Sequence, residues 1–368
     1  MRVDEPAQGP QDAAVGSGSW PEPAPGVRLR LDPEDEGMHV LGPEEHFNES
    51  MYFNFYDPRT RLGGWVRLGN RANQGHAERS VCLYLPDGSV AFDYARPAIA
   101  DNERFDAGGL SFTVVKPFER LAVRFEGELL HLADGHAMAD PKTAYRTGPR
   151  VHAALELAYE GVSPMLGGEA EYEDGRPLED IHGGDFARGH YEQHVLARGS
   201  VRVGGTAWEI GAPGLRDHSW GPRHWQSPWW YRWLTGNLGP DAGFVASVIA
   251  DRAGGRKVGG VVFRDGRYDR VRGVRVSTVW DDATGTQTAL DLTLTTDTDT
   301  YEIHGDVIGM VPLRNRRTDE NGDLLTTRIA EGLTVWSCPA LSSAPGGGMS
   351  EYLDQVLDGL PVGITEEG

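Results

Sequence analysis

Along most of this chain apolar and polar residues alternate with a period of two, in short runs separated by turn-forming dipeptides. Val271-Arg272-Gly273-Val274-Arg275-Val276 and Leu290-Asp291-Leu292-Thr293-Leu294-Thr295 show the alternation, which predicts strands with one buried face. Leu83-Tyr84-Leu85-Pro86-Asp87-Gly88-Ser89-Val90 reads as strand, turn, strand. Val261-Val262-Phe263-Arg264-Asp265-Gly266-Arg267-Tyr268 repeats the arrangement around Asp-Gly, a strong hairpin signal. Helical stripes are scarce, and 49 glycines disfavour them further. Only Ser350 to Leu360 reads as a short amphipathic helix. The pattern predicts an all-β chain.

An internal echo refines this. Met51-Tyr52-Phe53-Asn54-Phe55-Tyr56, Gly64-Trp65-Val66 and Pro86-Asp87-Gly88 follow one another in the first half. Trp229-Trp230-Tyr231-Arg232-Trp233, Gly243-Phe244-Val245 and Arg264-Asp265-Gly266 follow in the same order in the second. A repeat of this kind predicts two antiparallel barrels, each of a size able to enclose one small ligand. The expected organisation is a Pro/Gly-rich acidic leader over 1–41 that buries too little apolar surface to order itself. An N-terminal barrel over 42–216, a C-terminal barrel over 217–346 and a helix and tail over 347–368 follow it.

Composition narrows the function. A net charge of −20 argues against nucleic acid or an anionic membrane as the main partner. No apolar run approaches bilayer-spanning length, and the N-terminus lacks the apolar core of a signal peptide, so the expected compartment is the cytoplasm. Cys82 and Cys338 have neither zinc-knuckle nor disulfide-framework spacing. Nothing speaks to oligomeric state. Nucleophile-elbow, phosphate-loop, dinucleotide-binding and zinc-protease motifs are absent, so no cofactor and no metal are expected.

The chemistry-bearing segment is Asp217-His218-Ser219-Trp220-Gly221-Pro222-Arg223-His224-Trp225, running on into Trp229-Trp230-Tyr231-Arg232-Trp233. Five of the ten Trp fall within these residues. An ionisable group against an aromatic wall loses water, which raises a carboxyl pKa and makes a proton donor. Asp217 is the candidate acid and His218 its orienting or water-positioning partner. Trp220, Trp225, Trp230, Tyr231 and Trp233 are candidate substrate-lining rings, able to hold developing positive charge, with Arg223 beside them. Tyr52, Asn54 and Tyr56 share one face of an aromatic strand, and His190 and Glu192 share another; these are expected to close the pocket. His190 and His194 also share a face, without an acidic partner at metal-ligand spacing.

His190-Tyr191-Glu192-Gln193, Asp217-His218-Ser219-Trp220-Gly221-Pro222-Arg223 and Gly348-Met349-Ser350-Glu351-Tyr352, with Phe47-Asn48-Glu49-Ser50-Met51-Tyr52-Phe53, resemble a bacterial group related to the carotenoid 1,2-hydratase and AttH-like superfamily. The resemblance implies two lipocalin-like barrels in tandem. It also implies apolar substrates: hydration of isoprenoid double bonds, or cyclisation of polyenes. The expected function is therefore a cofactor-independent lyase or cyclase, hydratase-like, for an isoprenoid or polyene-like molecule. The alternative is a non-catalytic carrier of hydrophobic small molecules. Each residue has a structural alternative too. Asp217 can be a turn former, Arg223 can pair with Asp217 or Glu192 as a buried ion pair, and the Trp cluster can simply join the barrels.

Overall fold

The computed structural model describes residues 26–176, 187–223, 225, 228–318, 322 and 324–366. The strands are β1 (Val27–Arg30), β2 (Phe47–Asp57), β3 (Leu62–Arg71), β4 (His76–Tyr84), β5 (Val90–Ala95), β6 (Asp106–Ala107), β7 (Leu110–Lys116), β8 (Arg120–Leu132), β9 (Arg150–Gly161), β10 (Leu166–Tyr172), β11 (Gly189–Val203) and β12 (Thr206–Pro222). They continue with β13 (Trp230–Asn237), β14 (Ala242–Ala250), β15 (Arg256–Arg264), β16 (Arg267–Trp280), β17 (Gln287–Thr296), β18 (Thr300–Thr318), β19 (Leu324–Ser337), β20 (Gly346–Leu357) and β21 (Leu360–Pro361). A short helix α1 (Pro141–Thr147) lies between β8 and β9, and another, α2 (Gly363–Glu366), follows β21. No helix of the described residues is long and apolar enough to cross a membrane.

Every strand pairing is antiparallel. β2, β3, β4, β5, β8, β9, β11 and β12 close on themselves through the β12–β2 pairing, and β13 to β20 close in simple chain order through β13–β20. The protein is thus two lipocalin-like barrels in tandem: the all-β chain that the alternation predicts, doubled as the internal echo predicts, and of the type that the resemblance implies. The echoed segments hold equivalent places: β2 and β3 match β13 and β14, and each Asp-Gly turn joins the third and fourth strands of its barrel. Asp265 and Gly266 both have positive φ, the two-residue hairpin turn that Asp-Gly favours.

Neither barrel is hollow. Met51, Phe53, Leu68, Val123, Phe125, Leu155 and Val195 are among the side chains filling the first; Leu234, Phe244, Leu292, Ile303 and Trp336 help fill the second. A third cluster lies between the barrels. There Tyr52, Tyr56, Trp65, Tyr84 and Phe92 on the outer face of the first barrel meet Val311, Leu333 and Met349 of the second. At this seam a Cβ on Gly347 would overlap the Tyr56 ring. Gly347→Val is therefore expected to cost about 1–3 kcal/mol as an overpacked contact, read as a lowered urea midpoint, and Tyr56→Ala in the same chain should restore part of it.

Three expectations are corrected. Ser350 to Leu360 is not a helix: most of it lies in β20, hydrogen-bonded on both edges to β13 and β19. Two ladders closing a barrel outweigh local propensity; the helix that does form is the four-residue α2. Asp217 does not begin the second barrel, because β12 carries the chain to Pro222 and the second barrel starts at Trp230. Finally, part of the supposed leader is ordered. β1 pairs with β10, and Glu36 is buried against Arg216 with oxygen–nitrogen distances of 2.7 and 2.9 Å. Charge pairing, together with burial of Leu31 against Phe47, Tyr191 and Trp220, ties this segment down. The earlier part, 1–25, lies outside the described residues, as does His224 of the Trp-rich motif.

Candidate functional site

Strand alternation decides which side chains can meet. On β2, Tyr52, Asn54 and Tyr56 point away from the barrel core and toward the second barrel. On β11 the same is true of His190, Glu192 and His194, and on β12 of Asp217 and Ser219. Register aligns Glu192 with Asp217, Asp217 with Tyr52, and Tyr52 with Arg67 across four neighbouring strands. The second barrel presents a matching row, Glu331 beside Glu351 beside Trp233. The rows meet where Trp233 donates its indole N–H to Glu192 Oε1 at 2.7 Å. Tyr52 packs edge-on against Trp233 (5.5 Å) and stacks on Trp65 (6.0 Å). Tyr231 donates its hydroxyl to Glu351.

Four carboxyl groups thus converge on an aromatic seam. Burial pushes Glu192 up to about 7, helped by Asp217 and Glu351, while His190 and the Trp233 N–H pull the other way. Burial also drives Glu331 well above the usual carboxyl range, and the adjoining Glu351 carboxyl, hydrogen-bonded to it, adds to the effect. Glu351 is raised as well, chiefly by burial. Two carboxyls in contact in a desolvated site oppose each other's ionisation, so the pair resists losing its protons. Burial would lower His190, but Asp217 and Glu192 outweigh it and raise the imidazole. His190 lies 3.9 Å from Asp217 and 3.8 Å from Glu192. With side-chain exposures of 38% for His190 and 21% for Asp217, the cluster reaches solvent at this end, while Glu331 at the other is buried. Two open concavities, of about 460 and 360 Å³, lie elsewhere: one at the mouth of the second barrel by Trp229, Trp230 and Arg252, the other by Leu85, His131 and Trp208.

Asp217, Tyr52, His190, Glu192, Tyr231 and Trp233 are therefore brought together. Arg223 and Trp225 border them: Arg223 donates to Ser219 Oγ at 2.7 Å, and the Arg223 and Arg67 guanidiniums each lie 5.5 Å from the Trp225 ring centre. Burial, with Arg67 and Arg71 nearby, lowers Arg223 to about 10. Asn54 fixes backbone, accepting from the Leu215 amide at 2.9 Å, with its amide 3.4 Å from the Tyr52 hydroxyl. Tyr56 sits farther along the seam, near Asp57 and Arg61.

Three expected site residues lie apart. His218 and Trp220 occupy the face of β12 opposite Asp217, because neighbouring residues on a strand point to opposite sides. There His218 meets Glu49 at 3.0 Å and Trp220 stacks on His39 at 3.9 Å. Trp230 faces into the second barrel, 4.9 Å from the buried Arg232 guanidinium. Nor do His190 and His194 converge. Four strand residues span about 13 Å, and His194 Nδ1 lies instead 2.8 Å from Asn237 Oδ1.

Sequence reasoning missed Glu331 and Glu351. A signal was present: Glu351 alternates with Met349 and Leu353, and Glu331 with Leu333, so each is a carboxyl on an apolar strand face. Reading the tail as helix hid the first of them.

The profile of one protein family matches residues 32–356, described as a domain of unknown function, DUF7064. The chain belongs to this family. No curated protein matches this DUF7064 chain by sequence. Among solved structures it is similar to an AttH-type protein from Nitrosomonas europaea, at 14% identity and a TM-score of 0.57, covering 92% of this chain and 98% of that one. That likeness shows the tandem-barrel fold. CghA matches at 12% identity and 0.49, over 88% of this chain and 94% of that one. Kievitone hydratase from Nectria haematococca matches at 10% and 0.48, over 87% and 93%.

Proposed function

We propose that this DUF7064 protein is an acid–base lyase or cyclase, hydratase-like, acting on an isoprenoid or polyene-like substrate between its two barrels. The observation that carries this reading is the set of carboxyls whose pKa burial raises beside aromatic faces. A general acid must hold its proton at the working pH and be poised to release it. Glu192, at about 7, meets that requirement better than part-exposed Asp217, the acid expected from sequence. Protonating an alkene carbon leaves a carbocation, and each well-placed ring face among Tyr52, Trp65, Trp233 and Trp225 stabilises it by roughly 0.5–2 kcal/mol. The Trp233 N–H and His190 then stabilise the carboxylate left on Glu192, and Asp217 with His190 can hold the water that captures the cation or accept the proton lost in ring closure. A carrier for apolar molecules is the second reading, favoured by the His190–Asp217 pair at 3.9 Å, which would hold Asp217 in a structural contact.

The test starts from any apolar ligand that co-purifies, identified by native mass spectrometry, and from a panel of isoprenoid and polyene alkenes in D2O. The enzyme reading expects deuterium on product carbon, a loss of turnover of about 100-fold or more in Glu192→Gln, and retained binding of an apolar fluorescent probe. Probe binding with no turnover by the native protein on any of these molecules is the carrier result.

A further inference from the structure

A second cluster lies on the far side of β12, at the end of the first barrel. We propose that His39, Glu49 and His218 bind a divalent first-row transition-metal ion, through His39 Nδ1, Glu49 Oε1 and His218 Nε2. These three side chains place their ligand atoms within 4.8 Å of one another. His39 Nδ1 is 2.7 Å from Glu49 Oε1 and His218 Nε2 is 3.0 Å from the same oxygen. Ligand atoms around an ion at the usual 2.0–2.2 Å sit about 3 Å apart when adjacent, so an opening of a few tenths of an ångström admits it.

The partners of the outer ring nitrogens support the site as well. The Tyr191 hydroxyl has one proton, and Glu36 Oε1, 2.6 Å away, takes it. Glu36 has no proton to return: burial raises its carboxyl, but Arg216, Tyr191 and the Phe118 amide outweigh this and lower it. His218 Nδ1, 3.2 Å from the Tyr191 oxygen, must therefore be the donor of that contact. His39 Nε2 faces Asp35 Oδ1 at 3.3 Å, and Asp35 already accepts from Arg30 and from the Asp32 amide, so this nitrogen is a donor too. With the outer nitrogens turned to these partners, the inner nitrogens of the two rings, whose centres lie 5.7 Å apart, both point at Glu49 Oε1, the arrangement in which two imidazoles and a carboxylate present lone pairs to one shared cation.

The surroundings are those a metal-binding histidine uses, in which the outer N–H is fixed by a carboxylate or a hydroxyl relay. Asn102 donates to Glu49 Oε2 at 2.6 Å and the His39 amide donates to both carboxylate oxygens at 3.0 and 3.1 Å, which fixes the carboxylate and leaves Oε1 a lone pair for the ion. Trp220 and Phe105 pack against the rings. Imidazole with carboxylate suits zinc, manganese, iron, cobalt or nickel, not the all-oxygen preference of calcium or magnesium. His39 keeps 17% side-chain exposure, which gives an ion a way in. The site departs from the expectation that the chain binds no metal.

Full-length protein, stripped with chelator and dialysed, is titrated with Zn(II) by calorimetry and with Co(II) by visible absorption. The expected result is one ion per chain, with Co(II) bands showing nitrogen ligation. His39→Ala, at the part-exposed rim, should weaken binding about 10-fold or more with little change in Tm, and Tyr191→Phe should weaken it about 10-fold without changing the stoichiometry. Glu49→Gln and His218→Ala should abolish it. Uptake of neither ion by the native chain overturns the proposal, as does unchanged affinity in His39→Ala, which would put the ion elsewhere, for example at His304 with Asp291 and Asp306.

Discussion

Arg216→Met is expected to destabilise the protein by about 3–5 kcal/mol, because it leaves a buried carboxylate without its cation. Arg216 and Glu36 are both fully buried. The guanidinium meets the carboxylate through two nitrogens, at 2.7 and 2.9 Å, and also donates to Gln193 Oε1 at 2.9 Å. Methionine keeps most of the volume, so the loss reports the charge left without its partner. The pair also holds the ordered segment after β1 onto the first barrel. Urea unfolding of the variant should show a lower midpoint. Arg216→Met with Glu36→Gln should recover part of the loss, because the stranded charge is then gone. A loss under about 1 kcal/mol would mean that water reaches the pair and that this segment is not anchored by it.

Glu192→Gln is expected to stabilise the protein by about 3 kcal/mol at about pH 8, and by little at about pH 4. The folded carboxyl titrates at about 7, against an ordinary value of 4.5. A raised value means that the folded state holds the proton more tightly than the unfolded chain does. The stability this lends is complete below about 4.5 and is lost as the pH rises through about 7. The native chain then carries a buried carboxylate at alkaline pH, which glutamine cannot become. Glutamine still offers an oxygen to the Trp233 N–H. Urea unfolding of both proteins at the two pH values reads the difference directly. An equal difference at both would show that folding does not move Glu192 from its ordinary value, so that it is ionised at neutral pH, and would remove it as the proton donor. Gain of stability with loss of turnover in one substitution would mark a residue kept for chemistry at the expense of the fold.

The barrels themselves were legible in the sequence. Period-two alternation is a local property, since one side chain in two must face a core whatever lies across it. The Asp-Gly turns are local as well, and so is the echo that set β2 and β3 against β13 and β14. What misled was the same locality. Ser350 to Leu360 satisfies a helical stripe and a strand about equally, and only its two partners, β13 and β19, decide between them. The segment around Glu36 reads as unable to order itself because Arg216, far along the chain, cannot be seen from it.

For the site, sequence alone determined the inventory: a carboxylate beside imidazoles and many Trp, with Tyr52 on one strand and His190 and Glu192 on another. The tertiary structure decided which of these meet. Alternation on β12 sends Asp217 to the junction and His218 with Trp220 to the opposite side, so one contiguous motif serves two separate clusters. Barrel docking brings Glu331 and Glu351 to Glu192, and desolvation at that contact, not residue type, is what changes their acidity. A carboxyl's character depends on the water and charges around it, and those come from strands distant in the chain.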